Sequence, residues 1–182
     1  MDILCNDLIA AQRGFIKKLK TISFTANFYE AIVGTTDLRT LLYTAGKLIK
    51  EEIPDSNVGF FLRQQESSEL HIFESDQPIT LEQQLPEDCF NSEVVENICK
   101  SNKICTLDDM FAMGLGGNLI ELSKISAATM PLGGLGVSLG FILIYRSSQN
   151  KLTVEELNNI SSITCGLSRA IACCQVLSHK AD

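Results

Sequence analysis

From Leu4 onward the apolar positions fall at Leu4, Leu8, Ala11, Phe15, Leu19, Ile22, Ala26, Tyr29 and Val33, at steps of 4, 3, 4, 4, 3, 4, 3 and 4. That period predicts one long helix. Its narrow seam, a heptad with one irregular interval, suits packing against another helix better than docking on a broad sheet. Gly34 stands where such a helix stops, and "TTD" at 35–37 offers caps for a second helix, which carries Leu38, Leu41, Leu42, Ala45, Leu48, Ile49 and Ile53 on one face before Pro54 ends it. The period then changes: "NVGFFL" (57–62) and "ELHIF" (69–73) read as antiparallel strands joined by the polar turn "RQQESS". Residues 74–91 are polar, contain two prolines and read as a loop, after which Ser92 caps a short helix bearing Val94, Val95 and Ile98. "KICTL" (103–107) reads as a third strand, and "DDMFAMGLGGNLIELSK" (108–124) as a long glycine-bearing connection, a kind that is often functional in a compact domain. The final helix opens on a capping box, Thr153 with Glu156, and aligns Leu157, Ile160, Thr164, Leu167, Ile171 and Cys174.

Between these lies "SAATMPLGGLGVSLGFILIY" (126–145), whose glycines pose a choice between a phosphate cradle and a turn. In a nucleotide-binding loop the glycines open a helix. Here they open an apolar strand, and the dinucleotide fingerprint would need glycine at position 139, which is Leu139. Gly133, Gly134 and Gly136 therefore read as a hairpin turn, and "GLGGN" (114–118) as a flexible loop. On the second strand Leu139, Phe141, Leu143 and Tyr145 alternate with Gly140, Ile142 and Ile144, so neither face suits water and both must be covered. The order helix, helix, two strands, helix, strand, loop, two strands, helix predicts an α/β (α+β) domain on an antiparallel sheet.

Composition narrows function by exclusion. The 182 residues suit one domain with a real core, and a net charge of −7 with a pI near 4.9 argues against a nucleic-acid surface. The one basic cluster, "RGFIKKLK" (13–20), puts Arg13, Lys17 and Lys20 on one helix face and reads as a solvated side rather than a membrane or nucleic-acid patch. No run of about 18 consecutive apolar residues is present, and Asp2 and Asp7 stand where a signal peptide would be positive, so a cytoplasmic protein without membrane insertion is expected. Seven cysteines without C-x-x-C spacing are expected as thiols. His71 and His179 lie at no zinc spacing from any of them, so no metal is expected.

The pattern resembles the GAF domain, a small-molecule sensor module related in architecture to PAS domains. The resemblance covers residues 36 to about 177 and is carried by "TTDLRTLLYTAGKLI", by "NKICTLDDM" with its acidic residues after the third strand, and above all by the stretch from Ser126 to Ala172. There a strand ends in Pro-Leu and is followed by a glycine turn, a Gly-bearing apolar strand, a variable loop and a Thr-capped helix. It implies a GAF-like antiparallel sheet of five or six strands with helices on both faces, the first and last helices packed on one and a roofed ligand pocket on the other. The chain divides into an N-terminal signalling or dimerisation helix (1–35) and the sensor domain (36–178). Cyclic-nucleotide-binding members carry an Asn-Lys, Phe, Asp-Glu signature; Asn102 and Lys103 are present, but no Asp-Glu pair follows Phe111. Bilin-binding members use a cysteine in Asp-x-Cys-Phe, and "EDCF" places Glu87 before Cys89 where that Asp belongs. With no Trp and few His, haem and iron are unsupported, which leaves no identified cofactor and an unknown small-molecule ligand.

The resemblance implies a regulatory sensor with Phe61, Phe73, Cys105, Met110, Phe111 and Met130 as candidate ligand contacts. Its output would be a domain such as a histidine kinase, a cyclic-di-nucleotide enzyme or an HD phosphohydrolase, on a parent chain or a partner. The seam from Leu4 to Val33, with Leu167, Ile171 and Cys174, predicts a parallel homodimer. Two alternatives stand beside it. One is a thiol enzyme resembling free methionine-sulfoxide reductases, with Cys89, Cys99 or Cys105 reactive; the other is a ligand-free dimerisation domain.

Overall fold

A computed structural model describes residues 2–64, 67–73, 79, 85–134 and 136–178. The first period holds as one helix, α1 (Asp2–Ile32), which stops where Gly34 takes φ +79. Asp37 caps α2 (Leu38–Glu52) by accepting the Thr40 amide at 2.8 Å, and Ile53 closes it before Pro54. Strands β1 (Asn57–Gln64) and β2 (Ser67–Phe73) pair antiparallel. Most of the 74–91 stretch lies outside the described residues; its end forms a 3-10 turn, Pro86–Cys89. The cap of α3 (Ser92–Ser101) is Asn91 rather than Ser92: its side chain accepts the Val94 amide at 2.9 Å. Strand β3 is only Cys105–Thr106, because Thr106 and Asp109 form a capping box that turns the chain straight into α4 (Leu107–Ala112). The 108–124 connection is therefore not irregular: it holds α4 and a single-turn α5 (Leu119–Leu122) capped by Asn118. The glycine hairpin joins β4 (Ile125–Gly134) to β5 (Val137–Ser147). Helix α6 (Val154–Ser178) begins on the predicted box, with the Thr153 amide and hydroxyl both donating to Glu156 at 2.8 Å.

The five strands form one antiparallel sheet in the order β2-β1-β5-β4-β3. Strand alternation sorts its side chains into two cores. Val58, Phe60, Leu62, Met130, Leu132, Ile142 and Ile144 face α1, α2 and α6, where they meet Phe28, Leu41, Ile49 and the α6 stripe Ile160, Ile163, Leu167, Ile171 and Cys174. Phe61, Ile125, Ala127, Phe141, Leu143 and Tyr145 face the other way, under a roof made by the 3-10 turn, α3, α4 and α5. The regular alternation expected for β5 fails once. Leu139 is the extra residue of a bulge opposite Leu132 and Gly133, so it packs on the helix side with Ile142. Gly140 makes this possible with φ +135, and a Cβ there would collide with the Phe61 carbonyl oxygen.

Helix α1 uses its last turns to dock. Thr21, Phe24, Thr25, Phe28, Tyr29 and Ile32 face the domain, whereas the seam read from sequence lies mostly in solvent, with Leu8, Phe15 and Ile22 60–64% exposed. The Leu4 side chain is outside the described set. Lys17 pairs with Glu155, Thr21 bonds Asn159 and Thr25 bonds Ser162, an offset that stays at 137 or 138 residues. A constant offset means that α1 and α6 run parallel. Phe15 is then level with the start of α6, and the turns before it extend about 20 Å beyond at 1.5 Å per residue. Leu167, Ile171 and Cys174 are buried in the domain's own core and are not available to a second chain. By length and composition α6 could cross a membrane, but this buried stripe makes it the core helix of the domain.

Candidate functional site under the roof

The roof side of the sheet collects most of the chemistry that the architecture brings together. Phe61 and Phe141 face each other across β1 and β5 and stack with ring centroids 4.7 Å apart, while Phe90, at the end of the 3-10 turn, lies over both at 5.1 and 6.0 Å. Four residues along β5, on the same face, Tyr145 donates its hydroxyl to Glu87 at 2.7 Å. Both residues are buried, which is tolerable for a carboxylate only with such a partner. Thr129, fully buried on the same face of β4, is opposite Leu143, and its hydroxyl has no hydrogen-bond partner among the described residues. An unmet hydroxyl in a dry interior costs about 1–3 kcal/mol and is a natural handle for a ligand.

The six residues nominated from sequence do not share one site. Phe61, Cys105 and Met110 are buried in the roof-side core, and Phe111 is half-buried at its margin. Met130 and Phe73 belong to the helix side. Met130 is one residue out of phase with Thr129, and Phe73 packs edge-on against Phe60 at 5.7 Å and Tyr43 at 6.2 Å. Glu87, Phe90, Thr129, Phe141 and Tyr145 were not nominated. Strand parity alone could have supplied Thr129, Phe141 and Tyr145, since positions 125–129 of β4 and 141–145 of β5 face the roof at odd numbers; in the polar 74–91 stretch the "EDCF" match touched Glu87 and Phe90, but only as neighbours of Cys89.

The thiols are placed for packing. All seven cysteines are free, and Cys89, Cys99 and Cys105 are buried in the roof-side core. Burial pushes the Cys89 thiol above its ordinary value, and the neighbouring Asp88 and Glu87 carboxylates push it further, the reverse of what activates a nucleophile. The Cys105 sulfur lies 3.3 Å from the Ser101 hydroxyl and donates to the Lys103 carbonyl at 3.4 Å. Among the described residues no group of His, Cys, Asp and Glu could hold a metal ion.

No family model and no curated protein matches the sequence. Solved structures do. A GAF domain from a phosphoenolpyruvate-protein phosphotransferase of Coxiella burnetii superposes with a TM-score of 0.64 at 14% identity, over 88% of this chain and 98% of that one. The GAF domain of a two-component sensor histidine kinase from Bacillus halodurans gives 0.58 at 15%, over 79% and 99%. The free methionine-R-sulfoxide reductase from Neisseria meningitidis, solved with its substrate, gives 0.59 at 15%, over 86% and 91%. At these identities the likeness is one of fold, and the fold of this chain is that of the GAF domain.

Proposed function

We propose that the chain is a regulatory sensor domain: a small molecule bound under the roof alters the sheet, and the α1–α6 pair carries the change to an output domain. The observation that carries this reading is the two-sidedness of β4 and β5. Residues that face the roof alternate with residues that face α6, and two polar ties couple α6 to the same strands: Ser168 Oγ accepts the Gly133 amide at 2.9 Å, and Arg146 donates to Glu156 at 2.8 Å. The parallel register of α1 and α6 adds that the start of α1 and the end of α6 lie at opposite ends of the helix pair, so a shift in one is passed along the other. The ligand is mainly apolar, stacking on Phe61, Phe90 and Phe141, with a polar group for Thr129. The exposed stripe of α1, from Leu8 through Phe15, Leu19 and Ile22, pairs with the same stripe of a second copy about a two-fold axis in a parallel homodimer in the cytoplasm.

The fold shared with a reductase motivates a second reading, thiol chemistry at Cys89. The raised Cys89 pKa weakens it. Native mass spectrometry of the protein purified without added ligand tests the sensor reading. A dimer that releases a small molecule on denaturation supports it; a ligand-free monomer that turns over methionine sulfoxide with a thiol regenerant replaces it.

A further inference from the structure

Strand β3 covers the outer edge of β4 only at Ala128 and Thr129. The Ser148 amide donates to the Lys124 carbonyl at 2.8 Å, which makes that facing pair a hydrogen-bonded one. Alternation then turns the backbone N–H and C=O of Ile125, Ala127 and Thr129 away from β5. Two facts agree with this phase. Thr129 faces Cys105 of β3, and the next outward position is Pro131, which has no N–H to place.

Strand β3 ends at Thr106, opposite Ala128, and its capping box sends the chain off into α4. Ile125 to Ala127 therefore run past the end of β3 as the floor of a cavity of about 370 Å³. One wall is Leu107, Asp108 and Phe111, on the roof side; the other is Lys151, Leu152 and Leu157, beside α6. Proteins ordinarily blunt such an edge. Here it lies open between two apolar walls, each with one charge, and neither Asp108 nor Lys151 forms an ion pair among the described residues.

We propose that this groove binds an extended peptide segment that adds to β4 in line with β3. Its backbone bonds the outward N–H and C=O of Ile125 and the outward N–H of Ala127, whose C=O is already met by the Leu107 amide that closes the Thr106–Ala128 pair, and its side chains alternate between the walls, apolar against Leu107, Phe111, Leu152 and Leu157, basic toward Asp108 and acidic toward Lys151. Backbone pairing supplies the affinity and the two walls the selectivity.

The probe is the tetrapeptide Lys-Leu-Val-Glu-amide carrying fluorescein on its N-terminus through an aminohexanoyl spacer, titrated by anisotropy and by amide chemical-shift mapping. Binding shifts the Ile125 and Ala127 amides. N-methylation of one alternate set of peptide amides weakens binding roughly tenfold and the other set leaves it unchanged, since only one set faces β4. Ala127→Pro, which removes an outward N–H and spares the β4–β5 ladder, gives a similar loss in a protein whose circular dichroism is unchanged. No binding at millimolar peptide overturns the proposal, as does equal binding by both N-methylated series, which marks a merely apolar trap. Should Ala127→Pro unfold, the two N-methylated series on the unaltered protein still decide.

Discussion

The ring of Tyr29 occupies the space that Gly166 leaves empty on α6, and a Cβ at Gly166 would collide with it. The tyrosine hydroxyl also donates to the Ser162 carbonyl at 3.2 Å, so the contact fixes the distance and rotation of α1 against α6. Gly166→Val forces the helices apart, since overpacking in a tight site costs about 1–3 kcal/mol. The expected outcome is a lower thermal midpoint and faster amide exchange from Thr21 to Ile32, with the sheet amides unchanged. Equal exchange in both proteins rules out the contact as a lock.

Arg146 closes the N-terminal start of α6. Its buried guanidinium donates to the carbonyls of Asn150 at 2.6 Å and Lys151 at 2.8 Å and to Glu156 at 2.8 Å. Arg146→Ala removes the donor from the carbonyls of Pro54, Asn150 and Lys151 and leaves Glu156 with only its Thr153 bonds, which is expected to cost about 3–5 kcal/mol by denaturant unfolding. Arg146→Lys recovers little of that, because a point charge cannot serve acceptors spread around a planar fork.

Acid should loosen the same helix starts. Burial alone would raise the Glu156 pKa, but the Thr153 amide and hydroxyl together with Arg146 outweigh it and hold it below the ordinary 4.5. Asp37, through the Thr40 hydroxyl and amide, and Asp109, through the Thr106 amide and hydroxyl, lie below the ordinary 3.8. Groups whose folded pKa is depressed contribute stability that is complete above their unfolded values and fades as pH falls through the folded ones. The thermal midpoint is therefore expected to hold flat down to about pH 5 and then fall below about pH 4.5. Glu156→Gln should flatten part of that fall.

Under the roof, Phe61→Ala opens a cavity beside Phe90 and Phe141 and should cost about 3–5 kcal/mol. Thr129→Val removes an unmet hydroxyl at nearly constant shape and is expected to stabilise the ligand-free protein slightly by thermal unfolding. A small molecule retained by the unaltered protein and lost from Thr129→Val would place its polar group at that hydroxyl.

Leu8→Asp with Phe15→Asp tests the α1 stripe without touching a core, because both side chains are more than half exposed. Light scattering is expected to show a dimer for the unaltered chain and a monomer for the double variant, with the same thermal midpoint at low concentration. A dimer that survives both changes lies elsewhere.

Local chemistry was legible in the chain. The extent of α1, the cap at Asp37, the box at Thr153 and Glu156 and the glycine hairpin all depend on residues within a few positions of one another, where spacing alone sets the geometry. The two-sided burial of β5 was legible too, since strand side chains alternate with period two, until Gly140 with its positive φ broke the count and carried Leu139 to the other side. What only the tertiary structure decided was which apolar residues share a cavity and which face of α1 meets the domain. Phe61 and Phe60 are equally apolar neighbours, yet opposite cores claim them. Apart from Tyr29, the seam read along α1 is the side left in solvent, because α6 presents Asn159 and Ser162 to Thr21 and Thr25 beside the buried Phe28 and Ile32, a partly polar match that hydrophobic periodicity does not report. The pairing of Glu87 with Tyr145 joins residues 58 positions apart, and contacts at that separation are set by how the layers stack rather than by any pattern along the chain.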